Sequence, residues 1–390
     1  MRSRLVGTLL LGLVSAVATS VTAPPAEVWG FFGHRRINRL ATFTLPVDMM
    51  PAFRRHIDYL TEHAVDPDKR RYAAAEEAVR HYIDLDRYGD LPRDLVTARW
   101  QYGRVLDVSD RGDTIEWHTD TLLTRENVLL LRSADHTLDL PWDRFRNLWY
   151  RTNLDPTDSL RAWGLPLSGE RFELISDFGQ HGLLPYHLEI HHRRLTRAFV
   201  ERDADRILQL AAEIGHYVGD AHVPLHTTEN YNGQLTGQDG IHAFWESRLP
   251  ELFADEAYDY FVGTAFYIAN PRDYYWTIVL ESHALVDSVL HTERRLRESF
   301  PADRQYCYEE RLGREVRTQC SDYARAWAEA MDGMVEDRFR AAIHSVGSVW
   351  YSCWVDAGQP ELSELFAMPG VAAADTLPPA TGTHPGRPHE

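Results

Sequence analysis

Cysteine is scarce in this chain, long apolar runs are few, and positive charge is outweighed by negative. Each shortage excludes something. Among 390 residues only Cys307, Cys320 and Cys353 carry thiols. Their spacing is not that of a zinc thiolate site, and three cannot all pair within one chain. Cys307 and Cys320 flank a short charged segment and are the better candidates for a disulfide, while Cys353 sits among aromatics and is expected to pack as a small apolar group. No segment after the N-terminal stretch reaches the roughly 18 consecutive apolar residues of a membrane helix, so no transmembrane segment is expected. Lysine and arginine number 41 against 58 aspartate and glutamate, a formal charge of −17. Such a surface does not by itself attract polyanions, which weighs against duplex binding. It leaves phosphoester substrates open, because bound cations supply local positive charge that the formula omits.

The bulk composition, 44% apolar and 25% charged, is that of an ordinary soluble globular protein. Arg2 and Arg4, the mostly apolar stretch from Leu5 to Ala18, and then Pro24 and Pro25 read as a signal peptide over residues 1–28, and hence secretion or a periplasmic location. No cysteine lies near the cleavage region, so no lipid anchor is expected. Period-two alternation is rare and no repeat is visible. Helical periodicity dominates, with helices expected over Leu183 to Glu201, Ala204 to Asp220, Ile241 to Phe253, Tyr275 to Phe300 and Ser321 to Ile343. The expected fold is mainly α, a multi-helix bundle with metal ligands facing inward. One domain is expected over residues 29–355. Within it, residues 85–180 read as an insertion or elaboration, whose Trp100, Trp117, Trp142, Trp149 and Trp163 suit packing. Residues 356–390, rich in Pro, Gly, Ala and Thr, read as a disordered tail.

The chemistry is concentrated in Gly215-His216-Tyr217-Val218-Gly219-Asp220-Ala221-His222-Val223-Pro224-Leu225-His226, followed by His242 and Glu246. His216 and Asp220 are four apart, as are His242 and Glu246. On a helix each pair shares one face and can reach one point. Pro224 stops the helix and swings His226 onto the next turn. Imidazole with carboxylate suits zinc, and two such pairs with His226 between them suggest a multinuclear site for phosphoester or similar hydrolysis. Asp84, Glu213 or backbone carbonyls are expected to hold the far nitrogens of the imidazoles. Tyr82 is read either as a base-stacking ring or, more simply, as core. His56, His63, His187, His191, His192, His222 and His283 are expected in polar packing or at the surface. Arg70, Arg71, Glu76 and Glu77 are read as solvated faces.

Upstream stand Trp29-Gly30-Phe31-Phe32-Gly33-His34, Asp66 and His81. In order, Trp29-x4-His34, Asp66-x14-His81, His216-x3-Asp220-x5-His226 and His242-x3-Glu246 resemble the zinc-dependent phospholipase C and single-strand-specific nuclease (3′-nucleotidase) superfamily. Its members are α-helical secreted proteins with three zinc ions. The likeness covers the ligand segments, about a third of the chain, and its specificity lies in the ordered set rather than in any one motif. It implies one zinc on Asp66, His81, His216 and Asp220, and a second on His226, His242 and Glu246. A third would sit on His34, Asp220 and the α-amine and carbonyl oxygen of Trp29. That requires cleavage between Val28 and Trp29. Asp220 would bridge two ions, Asp66 would also orient the attacking water, and a metal-activated hydroxide would attack phosphorus. Glu246 is similar to the phospholipase branch. His81-Tyr82-Ile83-Asp84 and Trp245-Glu246-Ser247-Arg248-Leu249-Pro250 resemble the nuclease branch. Single-stranded nucleic acid or a nucleotide is the leading expected substrate and a phospholipid the alternative. A non-catalytic zinc-binding protein is the reading from a different class.

Overall fold

The computed structural model describes residues 30–366, apart from residues 72, 90, 92, 94–102, 109–113, 124–127, 133–136, 142–170, 177 and 312. The expected leader, Trp29, Trp100, Trp142, Trp149, Trp163 and residues 367–390 lie outside the described residues. Among those described, no helix is long and apolar enough to cross a membrane.

The protein is mainly helical, as its periodicity predicts. The principal helices are α1 (Gly30–Ala41), α2 (Asp66–Arg71), α3 (Leu184–Glu201) and α4 (Ala204–Ala221). They are followed by α5 (residues 241–257), α6 (Pro271–His283), α7 (Val286–Ser299), α8 (Ser321–Ala330) and α9 (Met334–Asp356). α4 is the axis. From Leu210 to Ala221 every residue on it is buried, so it presents no solvent face in this stretch, and α1, α3, α6 and α9 pack around it. α3 and α4 form a hairpin whose turn is written in local chemistry. Arg202 takes the left-handed conformation (φ 58°) that ends α3, and the Asp203 side chain caps α4 by accepting the Arg206 N–H at 3.0 Å.

Two expected helices are each a broken pair. Tyr275 to Phe300 divides into α6 and α7 at Ala284 and Leu285, where no Gly or Pro marks the break and each piece keeps its own apolar stripe. Ser321 to Ile343 divides into α8 and α9 because Asp332 and Gly333 adopt left-handed backbone (φ 49° and 81°), which a right-handed helix cannot continue through. The C-terminal stretch also stays folded longer than its composition predicts. Leu362–Leu365 forms a helical turn, and Phe366 is buried against Phe53 and His56.

The larger departure lies between α2 and α3. Strands β1 (Gly103–Val108), β2 (Thr114–Leu123), β3 (Val128–Arg132), β4 (Thr137–Pro141) and β5 (Arg171–Ser176) form one antiparallel sheet in the order β4-β3-β2-β1-β5. The pattern hid it because β2 loses register with β3 between Thr119 and Thr121, and a short apolar run such as Val-Leu-Leu-Leu does not distinguish strand from helix. A second hairpin, β6 (Tyr306–Arg311) with β7 (Arg314–Gln319), is closed by the expected Cys307–Cys320 disulfide, with 5.0 Å between Cα atoms. Cys353 is a buried free thiol inside α9, and burial pushes its pKa up, as an inert packing role requires.

Candidate metal centre

α4 carries His216 and Asp220 one turn apart. It ends at Ala221, and Pro224 opens a short 3-10 turn, Pro224–Thr227, that carries His226. His242 and Glu246 sit on α5, which passes through a π turn at Phe244–Arg248 rather than the plain helix expected. Such turns are frequent at functional sites. His34 comes from α1, Asp68 from α2 and His81 from the segment after the short helix Ala75–Ala78. Two glycines of the motif let α1 approach. A Cβ on Gly215 would stand 2.0 Å from Asn38 Oδ1, and one on Gly219 would stand 2.8 Å from His34 Nδ1. The small residues flanking His216 thus give His34 the room to lie over it, with ring centroids 3.8 Å apart.

The donors form three groups, His34 with His216 and Asp220, Asp68 with His81 and His216, and His226 with His242 and Glu246, all buried and each able to hold a metal ion. Asp220 faces two of these groups with different oxygens. Oδ1 lies 3.3 Å from His34 Nε2, and Oδ2 lies 2.9 Å from His81 Nδ1 and 3.3 Å from His216 Nε2. His216 Nε2 is 3.0 Å from His81 Nδ1, and Asp68 Oδ1 stands 3.6 Å and 3.8 Å from those two nitrogens. In the third group His226 Nε2 is 3.0 Å from His242 Nε2 and 3.2 Å from Glu246 Oε2, and His242 Nε2 is 2.9 Å from Glu246 Oε2. Ligands about 2.05 Å from a tetrahedral ion stand roughly 3.3 Å from one another. The donor spacings therefore match the edges of a coordination shell.

Protonation agrees with that fit. His216 Nδ1 faces the Ala64 carbonyl at 2.9 Å and His226 Nδ1 the His81 carbonyl at 2.6 Å. With the protons donated there, both Nε2 atoms turn lone pairs toward the centre, so the backbone-carbonyl option among the expected supports is the one used. Burial, aided by His216 and Arg71, holds the His81 pKa well below its ordinary value; burial and His34 do the same for His216, and burial lowers His242. These rings are neutral donors. Burial alone would also depress His226, but the Asp220 and Glu246 carboxylates overcome it and raise its pKa. For Glu246, burial is overcome by His242 and His226, which lower its pKa. Burial raises that of Asp220, against the pull of His226 and His34. Buried carboxylates facing imidazole lone pairs about 3 Å apart favour a positive charge between them.

Of the sequence-derived ligands, His34, His81, His216, Asp220, His226, His242 and Glu246 converge. Asp66 does not join these groups. Its carboxylate is held by His63 Nδ1 at 2.5 Å and Lys69 Nζ at 2.9 Å, and two residues further along α2 the side chain points about 200° round the helix. Asp68, rather than Asp66, joins a donor group able to hold a metal ion. Asp84 pairs with His181 (2.9 Å), and Glu213 accepts from Arg70 (2.8 Å) and Gln209 (3.0 Å). Tyr82 is core, with its hydroxyl donating to the Gln180 carbonyl at 3.0 Å. His187, His191, His192 and His222 are buried in packing.

Sequence reasoning also missed charged groups taken for solvated faces, Glu77 and Arg71 among them. Glu77 is buried. Arg71, with a side chain only 11% exposed, donates to Asp68 Oδ1 at 3.4 Å, and its charge helps depress His81, His216 and His242. No sequence periodicity signals either one. No family model, curated protein or solved structure matches this chain. What the site does is therefore argued from its donors.

Proposed function

We propose that the protein is a secreted or periplasmic zinc-dependent phosphoester hydrolase with three zinc ions, related to the phospholipase C and nuclease superfamily that its ligand spacing resembles. The observation carrying this reading is Asp220, whose two oxygens face two donor groups while a third group lies beside them. His34, Asp68, His81, His216 and Asp220 would hold two ions and His226, His242 and Glu246 another. Zinc, when bound, lowers the pKa of a coordinated water and neutralises phosphoryl charge. The chain's own residues fix the donors, hold His81, His216 and His242 toward the neutral form, and set the Arg71 guanidinium 3.4 Å from Asp68, where it suits a phosphoryl oxygen. The Cys307–Cys320 disulfide supports an oxidising compartment.

The leading substrate is single-stranded nucleic acid or a nucleotide, favoured by the segments around His81 and Glu246, with phospholipid headgroups second. Purified protein should contain zinc and cleave single-stranded nucleic acid or 3′-nucleotides faster than phosphatidylcholine micelles. A chelator should abolish that activity and excess zinc should restore it. The reverse substrate order would favour the phospholipase reading. The burial of every donor also suits a non-catalytic zinc protein, and bound zinc without turnover on any phosphoester would decide for it.

Arg71 gives a separate check. Arg71→Ala is expected to leave zinc content within a factor of about two and to reduce kcat/KM on phosphoesters about 10²-fold, the size of effect seen when one aligned charge stabiliser is removed. Unchanged kcat/KM in a zinc-loaded variant would take Arg71 out of the site.

A further inference from the structure

A metal-bound imidazole ordinarily donates its far N–H to a fixed acceptor. His216 and His226 use backbone carbonyls. His81 does not. Its Nδ1 faces Asp220 and His216, and among the described residues its buried Nε2 has no hydrogen-bond partner. Glu77 Oε1, four residues upstream, stands 3.8 Å from that nitrogen. About 1 Å of movement would make this a hydrogen bond.

Glu77 is fixed as such an acceptor must be. The Tyr217 hydroxyl donates to Oε1, Arg80 Nη1 donates to Oε2 at 2.5 Å, and Arg70 Nε lies 3.5 Å from Oε2. Arg70 is itself anchored by Glu213 at 2.8 Å. Tyr217 follows His216 directly on α4, so the same helix that supplies a ligand also aims this carboxylate.

We propose that Glu77 is the positioning residue for His81. Its carboxylate accepts the Nε2–H, holds the tautomer that turns the Nδ1 lone pair to the metal, and raises the basicity of that lone pair. This rests on the metal reading above. The test compares wild type with Glu77→Gln and Arg80→Gln. Zinc affinity is read by competition with a chromophoric chelator, coordination by the visible absorption of the cobalt(II)-loaded protein, and folding by unfolding of the metal-free forms. Glu77→Gln keeps the shape but loses the charge, and is expected to weaken zinc binding about 10–100-fold and to change the cobalt spectrum. Arg80→Gln removes an ion pair but leaves Glu77 facing His81, and is expected to bind zinc as wild type does. Zinc affinity in Glu77→Gln within about two-fold of wild type would overturn the proposal. So would an equal loss in Arg80→Gln, which would make Glu77 part of an ion-pair scaffold. A wild-type protein that takes up no zinc would instead overturn the metal reading itself.

Discussion

His216→Ala is expected to strip metal from the protein and reduce phosphoester turnover more than any other single imidazole replacement. His216 belongs to two of the three donor groups, and it is fully buried. Its Nε2 stands within 3.0–3.6 Å of His81, Asp220 and Asp68. Removing one partner that merely orients a ligand costs about 10–100-fold in metal affinity, so deleting a shared donor should cost more than about 100-fold. Part of the loss will be indirect. Without the imidazole, the buried carboxylates of Asp68 and Asp220 crowd together with less to hold them. Elemental analysis should find zinc below the wild-type level, and the metal-free variant should also lose about 1 kcal/mol for the missing bond to the Ala64 carbonyl. Wild-type zinc content and affinity in this variant would contradict the placement of His216 at the centre.

The residues that were legible in the sequence share a physical property. His216 with Asp220, and His242 with Glu246, lie within single helices, where a four-residue interval fixes a common face whatever the rest of the chain does. Pro224 likewise ends α4 by local sterics. The helical class followed from the same short-range periodicity. What stayed hidden depends on distant partners. Glu77 and Arg70 look like surface charges until Tyr217 and Glu213, 140 and 143 residues away respectively, close over them. The sheet of β1 to β5 depends on strand pairing rather than on a strong alternation in any one strand, and its β2 register is irregular. The breaks within the two longest expected helices leave the apolar period almost intact on either side, so periodicity runs straight through them.

The ligand on α2 puts sequence spacing and structure in direct opposition, and a pair of single substitutions separates them. The interval to His81 selects Asp66, whereas the fold turns Asp68 toward His81 and His216. Asp68→Asn keeps the size of the side chain while removing a negative charge beside buried imidazoles, and is expected to lower zinc affinity and phosphoester turnover by at least about 100-fold, as loss of a direct donor should. It also releases Arg71, which now donates to Asp68, so substrate affinity is expected to fall along with metal content. Asp66→Asn is expected to keep its zinc. The native Asp66 pKa is lowered: burial opposes this, but the hydrogen bonds from His63 and Lys69 outweigh it. A carboxylate with a depressed folded-state pKa stabilises the protein above its ordinary titration range and loses that contribution as pH falls through the lower folded value. Asp66→Asn should therefore show a modest stability deficit at neutral pH that narrows on acidification, with turnover close to wild type at neutral pH. Were the two variants to exchange behaviours, with Asp66→Asn losing zinc and Asp68→Asn keeping it, α2 would have to be rotated relative to α4, and the spacing of the resembled family would outrank the geometry of this fold.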